Sequence, residues 1–310
     1  MLTKKANLEI QNWIYRNARP LDIARWQYHN EKGSKEAVLT ALSAYQNEDG
    51  GFGHALEPDS WNPYSSPIQT YTATELLKEI GFTDRNHPIM KGILNYLDSE
   101  ADFNGKLWYG AILSNNDYPH APWWKASNEL MSQTGFNPSA GLVGFALCYS
   151  DMNSAFFHKC ERIALEAFQE FISKGFSGDM HTGLCYLRLL DYCEQGGITE
   201  LFDIAIFKQK LMEQVKMSIT ADKSVWKTSY ICKPSQFFKS SDSIFYESNK
   251  EVADYECRFI EETLNADGTW DIVWGWSDYP NEWAVAKKWW QGNLAVINML
   301  YLKQVSKDAQ

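Results

Sequence analysis

The sequence predicts an all-α fold, an (α/α)6 toroid with an inner and an outer ring of helices, and three observations carry that expectation. One turn recurs, in "YQNEDGGF" (45–52) and "TLNADGTW" (263–270), where an amphipathic stretch ends in Asn, then Asp-Gly, then an aromatic residue. Asn47 matches Asn265, Asp49 matches Asp267, Gly50 matches Gly268 and Phe52 matches Trp270, with a fainter echo at Asn104-Gly105 before Trp108. Helix starts of one kind follow, with Ser, Asn or Asp ahead of Pro or a small residue, as polar N-caps and Pro at the first helical position require. Period-two β-branched runs are scarce, apart from short extended pieces near 226–231 and 271–276.

Taking Pro20, Pro67, Pro138, His181, Pro234 and Gln291 as starts of the second helix of each hairpin gives intervals of 47, 71, 43, 53 and 57 residues. Six hairpins fit. Their first helices fall near 5–17, 35–46, 88–100, 154–174, 202–219 and 248–264, amphipathic as in KCERIALEAFQEFISK. The second helices are more apolar and rich in small residues, which suits an inner ring that touches neighbours on all sides. The whole chain, 1–310, reads as one domain, and the segment 103–136, full of helix breakers, reads as an ordered inserted loop over one mouth of the ring.

Composition bounds the function classes. With 310 residues, 45% hydrophobic and 22% charged, the chain has a globular composition. The net charge of −10 comes from dispersed acids without a Lys/Arg stripe, so nucleic acid is not an expected partner. No apolar run approaches a membrane span and the N-terminus lacks the apolar stretch of a signal peptide, so the expected location is cytoplasmic with no transmembrane segment. The six cysteines form no CxxC pair and are expected reduced and mostly buried.

A helix, Gln or Leu, Asp-Gly-x-aromatic and then a small-residue inner helix resembles the QW-type repeat of squalene–hopene cyclases and their relatives, the protein prenyltransferase β subunits. The likeness is clear at 36–80 and 255–302; Gln46 keeps the motif's glutamine and Leu264 replaces it in the second copy. "DMHTGLCYLRLL" (179–190) and "WWQGNLAVINML" (289–300) are similar to inner helices of the prenyltransferase branch. The resemblance implies a terpenoid-cyclase-like toroid, but the catalytic signatures are missing. The chain contains no Asp-Asp dipeptide, hence no Asp-x-Asp-Asp protonation motif and no Asp-rich magnesium helix. The zinc site of prenyltransferases needs an Asp and a Cys before an aromatic pair like Trp289-Trp290, where this chain has Ala284-Val285-Ala286-Lys287-Lys288, so His181 has no partners for a metal. No metal and no cofactor is expected. There is no P-loop, no HExxH, no nucleophile elbow, and Gly50-Gly51-Phe52-Gly53 follows no strand.

The loops that enter the inner helices carry the remaining chemistry. The first holds His54, Glu57, Asp59 and Trp61, the third holds His120, Trp123 and Trp124, the fourth holds Asp179 and His181, and the last holds Asp271, Trp274 and Trp276. Carboxylates and imidazoles beside aromatic walls suit acid–base work on a sugar, or the holding of an apolar or cationic ligand. The candidate catalytic residues are Glu57, Asp59, Asp179, His181 and Asp271. The candidate ligand-binding residues are His54, Trp61, His120, Trp123, Trp124, Trp274, Trp276 and Arg25. Each has a structural alternative: Asp179 as a helix N-cap, Asp49 and Asp267 as turn formers, Glu57 and Asp59 as ion-pair partners of Arg19 and Arg25, and the tryptophans as core. Pro58 stiffens the loop that presents Glu57 and Asp59, which places that pair first. Three functions follow as expectations: a divergent terpenoid-cyclase-like or prenyltransferase-like toroid acting on an isoprenoid in an aromatic, acid-lined cavity, a carbohydrate-active toroid, or a non-catalytic binding toroid.

Overall fold

A computed structural model describes residues 2–176 and 178–305 of the chain. The described residues are all-helical, with no strand and only isolated bridges such as Gln46 with Phe52 and Ser60 with His120. The extended pieces anticipated near 226–231 and 271–276 form no strand; the first lies in a turn after a 3-10 helix at Lys223–Val225. No helix among the described residues is long and apolar enough to cross a membrane.

The chain divides into two compact units, Met1–Leu42 with Val215–Gln310, and Ser43–Gln214. In the first, α1 (Lys4–Asn17) is capped by Thr3, α2 (Pro20–Asn30) begins on its proline, and α3 (Lys35–Ser43) follows. In the second, Ser66 caps α4 (Pro67–Glu79), whose Pro67 supplies the fixed φ of a first helical residue. His87 caps α5 (Pro88–Asp98), and Ser127 caps the five-residue α6 (Asn128–Ser132). After these come α7 (Phe136–Tyr149), α8 (Ala155–Lys174) capped by Ser154, α9 (Met180–Gly196) capped by Asp179, and α10 (Ile204–Ser218). The first unit resumes with α11 (Tyr246–Glu262) and α12 (Pro280–Val305).

Two expected inner helices differ from the structure. At Pro234 the chain makes only a 3-10 turn, Pro234–Gln236, because the Glu256 carboxylate binds both the amide and the hydroxyl of Ser235 and a Ser-Ser-Asp-Ser run follows. The last helix starts at Pro280, eleven residues before Gln291, so NEWAVAKKWW is helical where loop was expected. The segment 103–136 holds two 3-10 helices, Leu113–Asp117 and Pro122–Trp124, besides α6. It is tied down by Asn116, whose amide exchanges two hydrogen bonds with the backbone of Ala126, at 2.8 and 3.0 Å.

The core of the second unit is α7. Every residue of it except Asn137 is buried, and it packs on α4, α5, α8 and α9. Its glycines make that possible: a Cβ on Gly144 would stand 2.8 Å from the Leu189 backbone of α9, and one on Gly141 would collide with the Tyr71 ring of α4. By contrast α8 and α5 bury one face each, Ile163, Ala164, Ala167 and Phe171 on α8, as amphipathic spacing predicts. In the first unit α12 packs on α1, α2 and α11, with Gly292 against Ala18. No disulfide joins the six cysteines, all of them described, and five are buried; burial pushes the thiols of Cys160, Cys185, Cys193 and Cys232 up to about 12.

Candidate functional site

The repeated turn is a structural wedge. Asn47 N–H donates to Gly51 O (2.9 Å) and Gly50 N–H to Asn47 O (2.9 Å), while the Asp49 carboxylate accepts from Gly51 N–H (2.9 Å) and Ser65 Oγ (2.7 Å). Gly50 has φ +89° and lies flat on α5, where a Cβ would overlap the Gly92 carbonyl oxygen and stand 2.5 Å from its carbon. Gln46 Nε2 completes the joint by donating to Gly50 O (2.9 Å) and Ile89 O (3.1 Å). The second copy repeats the geometry on α1. Asn265 N–H reaches Thr269 O at 2.8 Å, Gly268 has φ +89°, and its Cβ would stand 2.5 Å from the Glu9 carbonyl.

The loop that follows, 53–66, is built differently. His54 and Ala55 sit at φ 58° and 60°, a left-handed conformation that costs a side-chain-bearing residue energy. Gln69 of α4 holds the loop from below, its Oε1 accepting from Leu56 N–H (2.9 Å) and its Nε2 donating to Asn62 O (3.2 Å). Asn62 holds it from the side, donating to Ser114 Oγ (2.8 Å) and Asn115 Oδ1 (2.9 Å). Residues 59–61 then pair antiparallel with 119–121: Trp61 N–H donates to Pro119 O (2.9 Å) and Ala121 N–H to Asp59 O (2.8 Å). Across this pairing the loop meets His120, whose Nδ1 donates to Tyr118 O (2.7 Å), and Trp124, whose carbonyl accepts from Asn115 Nδ2 (3.1 Å).

The result is a buried polar layer. Glu57 is 8% exposed, Asp59 2%, Ser60, Asn62 and Gln69 0%, and Asn115 1%. The Glu57 carboxylate accepts from Asp59 N–H at 2.9 Å, which fixes both acids on one tight turn about Pro58. The Asn and Gln amides are spent on backbone, on Ser114 and on each other, whereas Ser60 Oγ and Trp124 Nε1 are buried without a hydrogen-bond partner among the described residues. A buried orphan hydroxyl or indole N–H costs on the order of 1–3 kcal/mol.

Of the sequence-predicted residues, Asp59, Trp61 and His120 lie on these paired segments, with Glu57 and Trp124 just outside them. His54 is exposed and bonded to Asn47 Oδ1 (2.8 Å), and Trp123 is exposed. Asp179 is the N-cap of α9, accepting from the His181 and Thr182 amides and from Thr182 Oγ1. His181 reaches solvent, yet enough protein surrounds it for desolvation to lower its pKa, with Asp179 opposing that shift. The other candidates belong to the first unit. Asp271 is exposed and accepts from Asn265 Nδ2 (3.1 Å). Trp274 stands edge-on to Tyr230 and Trp290, both at 5.3 Å, with its indole N–H buried and unpartnered, and Trp276 lies 5.7 Å from Trp283. Arg25 is buried and donates to Asp22 (2.9 Å) and Asn293 (2.7 Å), while Arg19 binds the other Asp22 oxygen (2.8 Å) and covers the Trp289 ring.

Sequence reasoning missed Ser60, Asn62, Gln69 and Asn115. Asn115-Asn116 reads as a chain breaker, Ser60 and Asn62 lie in a loop, and Gln69 sits inside a helix, so no local signal marks their burial. Among the described residues no group of three or more His, Cys, Asp or Glu side chains is placed to hold a metal ion. Comparison with models of known protein families, with curated proteins and with solved structures returned no match to this chain.

Proposed function

We propose that the chain is an α/α toroid of helical hairpins, in the manner of the QW-repeat proteins, and that it binds a small hydroxylated ligand of the carbohydrate class at the 53–66 loop. In this reading Glu57 and Asp59 are the acid–base or recognition carboxylates, and Trp61, His120 and Trp124 form the flank. The observation that carries it is the buried polar layer: two carboxylates on one tight turn, next in the chain to an orphan Ser60 hydroxyl, in a loop held by Gln69, Asn62 and Asn115. Rigid placement of acids next to unspent hydrogen-bonding groups is what recognition of a polyhydroxylated molecule requires. The alternation of all-buried α7 with one-faced α5 and α8 supports the ring of inner and outer helices.

A second reading rests on the first unit, where Trp274 between Tyr230 and Trp290 offers perpendicular ring faces. That box suits an apolar or cationic ligand such as an isoprenoid.

The test is native mass spectrometry for copurified small molecules, followed by calorimetric titration with neutral oligosaccharides and, separately, isoprenyl diphosphates. Saccharide binding tighter than about 1 mM, weakened at least about tenfold by Glu57→Gln or Asp59→Asn in variants with unchanged circular dichroism, is the expected result. Binding of isoprenoids alone, lost with Trp274→Ala, would replace it with the second reading. Saccharide binding unaffected by both carboxamide variants would remove the loop from the site.

A further inference from the structure

A groove of ≈ 460 Å³ is lined by residues of the first unit alone, whereas the 53–66 loop belongs to the second. The negative group in it is Glu31, the C-cap of α2. Three neutral donors hold its carboxylate: Gln11 Nε2 (2.8 Å) and Trp26 Nε1 (2.9 Å) on Oε1, and the Tyr15 hydroxyl (2.7 Å) on Oε2. Gln27 Nε2 in turn donates to the Tyr15 oxygen (3.0 Å), which leaves that hydroxyl's hydrogen for Glu31. Desolvation raises the Glu31 pKa, but the bonds from Tyr15, Gln11 and Trp26 outweigh it and hold the acid below its ordinary 4.5. The carboxylate is thus fixed and charged, and no cation among the described residues pairs with it.

The positive group is Lys4 in the first turn of α1, exposed and likewise without a partner among the described residues. The two charges are held apart. Glu31 is bonded to Gln11, seven residues along α1 from Lys4, and at 1.5 Å per residue that is about 10 Å of helix. On the same face of α1 between them stand Asn7, whose side-chain amide has no partner among the described residues, and the exposed Leu8. Met299 of α12 adds apolar surface. Asn30 spends its amide N–H on Trp26 O (3.4 Å), which leaves its carbonyl oxygen open.

One carboxylate offers too few oxygen ligands for a divalent metal, and Lys4 repels a polyvalent amine. One unspent charge of each sign, set apart along a half-apolar groove, fits a zwitterion. An extended chain advances about 3.5 Å per residue, so two or three residues cover the separation. We propose that this groove binds di- and tripeptides with free termini, the ammonium on Glu31 and Asn30, the carboxylate on Lys4 and Asn7, and an apolar side chain on Leu8 and Met299. An ammonium brings three donors, which Glu31 Oε2 and the Asn30 carbonyl oxygen receive together with water.

The experiment is calorimetric titration of the full chain with leucyl-leucine, its N-acetyl and C-terminal amide derivatives, and free leucine. Leucyl-leucine is expected to bind with Kd below about 1 mM, and either cap should weaken it at least about tenfold. Glu31→Gln should weaken leucyl-leucine by the same factor and leave the N-acetyl peptide unaffected, since the cap has already removed the group that Glu31 receives. Lys4→Met changes an exposed, unpartnered side chain and keeps the fold; it should weaken leucyl-leucine and leave the amide unaffected. No binding of leucyl-leucine up to about 10 mM, equal affinity for the capped peptides, or unchanged affinity in Lys4→Met would each overturn the proposal. Free leucine binding as tightly as leucyl-leucine would overturn the peptide class and make the ligand a single amino acid.

Discussion

Replacing Gly50 by Ala tests whether the Asp-Gly turn is wedged against α5. Two costs add. A Cβ at φ +89° carries backbone strain of about 1–2 kcal/mol. The same Cβ meets backbone, the Gly92 carbonyl, rather than the yielding end of a side chain, so α5 must shift, which costs about 1–3 kcal/mol more. Gly105 supplies the control, because it has φ +90° but nothing within 4 Å of the added carbon. Gly105→Ala should therefore lose only the first amount. Urea unfolding of the two variants is expected to differ by about 1–3 kcal/mol. If the Ser43–Gln214 unit melts as one block, the Gly50 variant should lose roughly 5–15 °C. Equal stability of Gly50→Ala and Gly105→Ala would refute the wedge, since it would mean α5 is not pressed against the turn.

Three further outcomes are expected. Ser60→Ala removes a buried hydroxyl that has no partner, so it should raise the urea midpoint by an amount equivalent to about 1 kcal/mol while weakening any saccharide bound at the loop; a comparable fall in stability would show that the hydroxyl is satisfied. Gln46→Leu, which imitates Leu264 of the second copy, deletes the bonds to Gly50 O and Ile89 O and should cost about 1–3 kcal/mol by the same measurement. Glu256 is held above its ordinary 4.5 by burial, opposed by hydrogen bonds from Ser235 and by Lys233. The native state then binds more protons than the unfolded chain above that value, so the stability contributed by the neutral form is complete below it and is lost as pH rises through the raised pKa. Stability relative to Glu256→Gln should fall as pH rises above about 4.5; a flat difference would contradict the sign.

Much of the fold is legible because local chemistry decides it. Pro20, Pro67 and Pro88 open helices since their φ is set and their missing N–H is not needed there, and Ser66, Ser154 and Asp179 cap because each offers a side-chain oxygen to an unpaired amide two or three residues further on. The Asp-Gly repeat predicts its own turns for the same reason. What escapes the sequence depends on partners far along the chain. Pro234 looks like the other helix-opening prolines, but Glu256 of α11, twenty-one residues beyond Ser235, takes the Ser235 amide and hydroxyl and the helix does not continue. The start of α12 was hidden because its first three turns are polar and aromatic rather than small and apolar. In the candidate site, Glu57 and Asp59 stand out in the sequence from Pro58 and composition, whereas the burial of Asn62 and Gln69 arises only when residues 114–121 pair with the loop.

The burial of α7 also sets a hierarchy of motion. A helix with water on no side can exchange its amide hydrogens only when its neighbours separate, so Ala140–Tyr149 should be among the slowest-exchanging stretches of the second unit. The 53–66 loop is coupled to that slow block through α4, which carries Gln69 under the loop and Tyr71 against Gly141 within one turn. Opening of the loop thus need not wait for the core, but any fluctuation that rotates α4 must break both attachments together. A ligand that stiffens the loop would then be felt as added protection along α7, at amides it never touches.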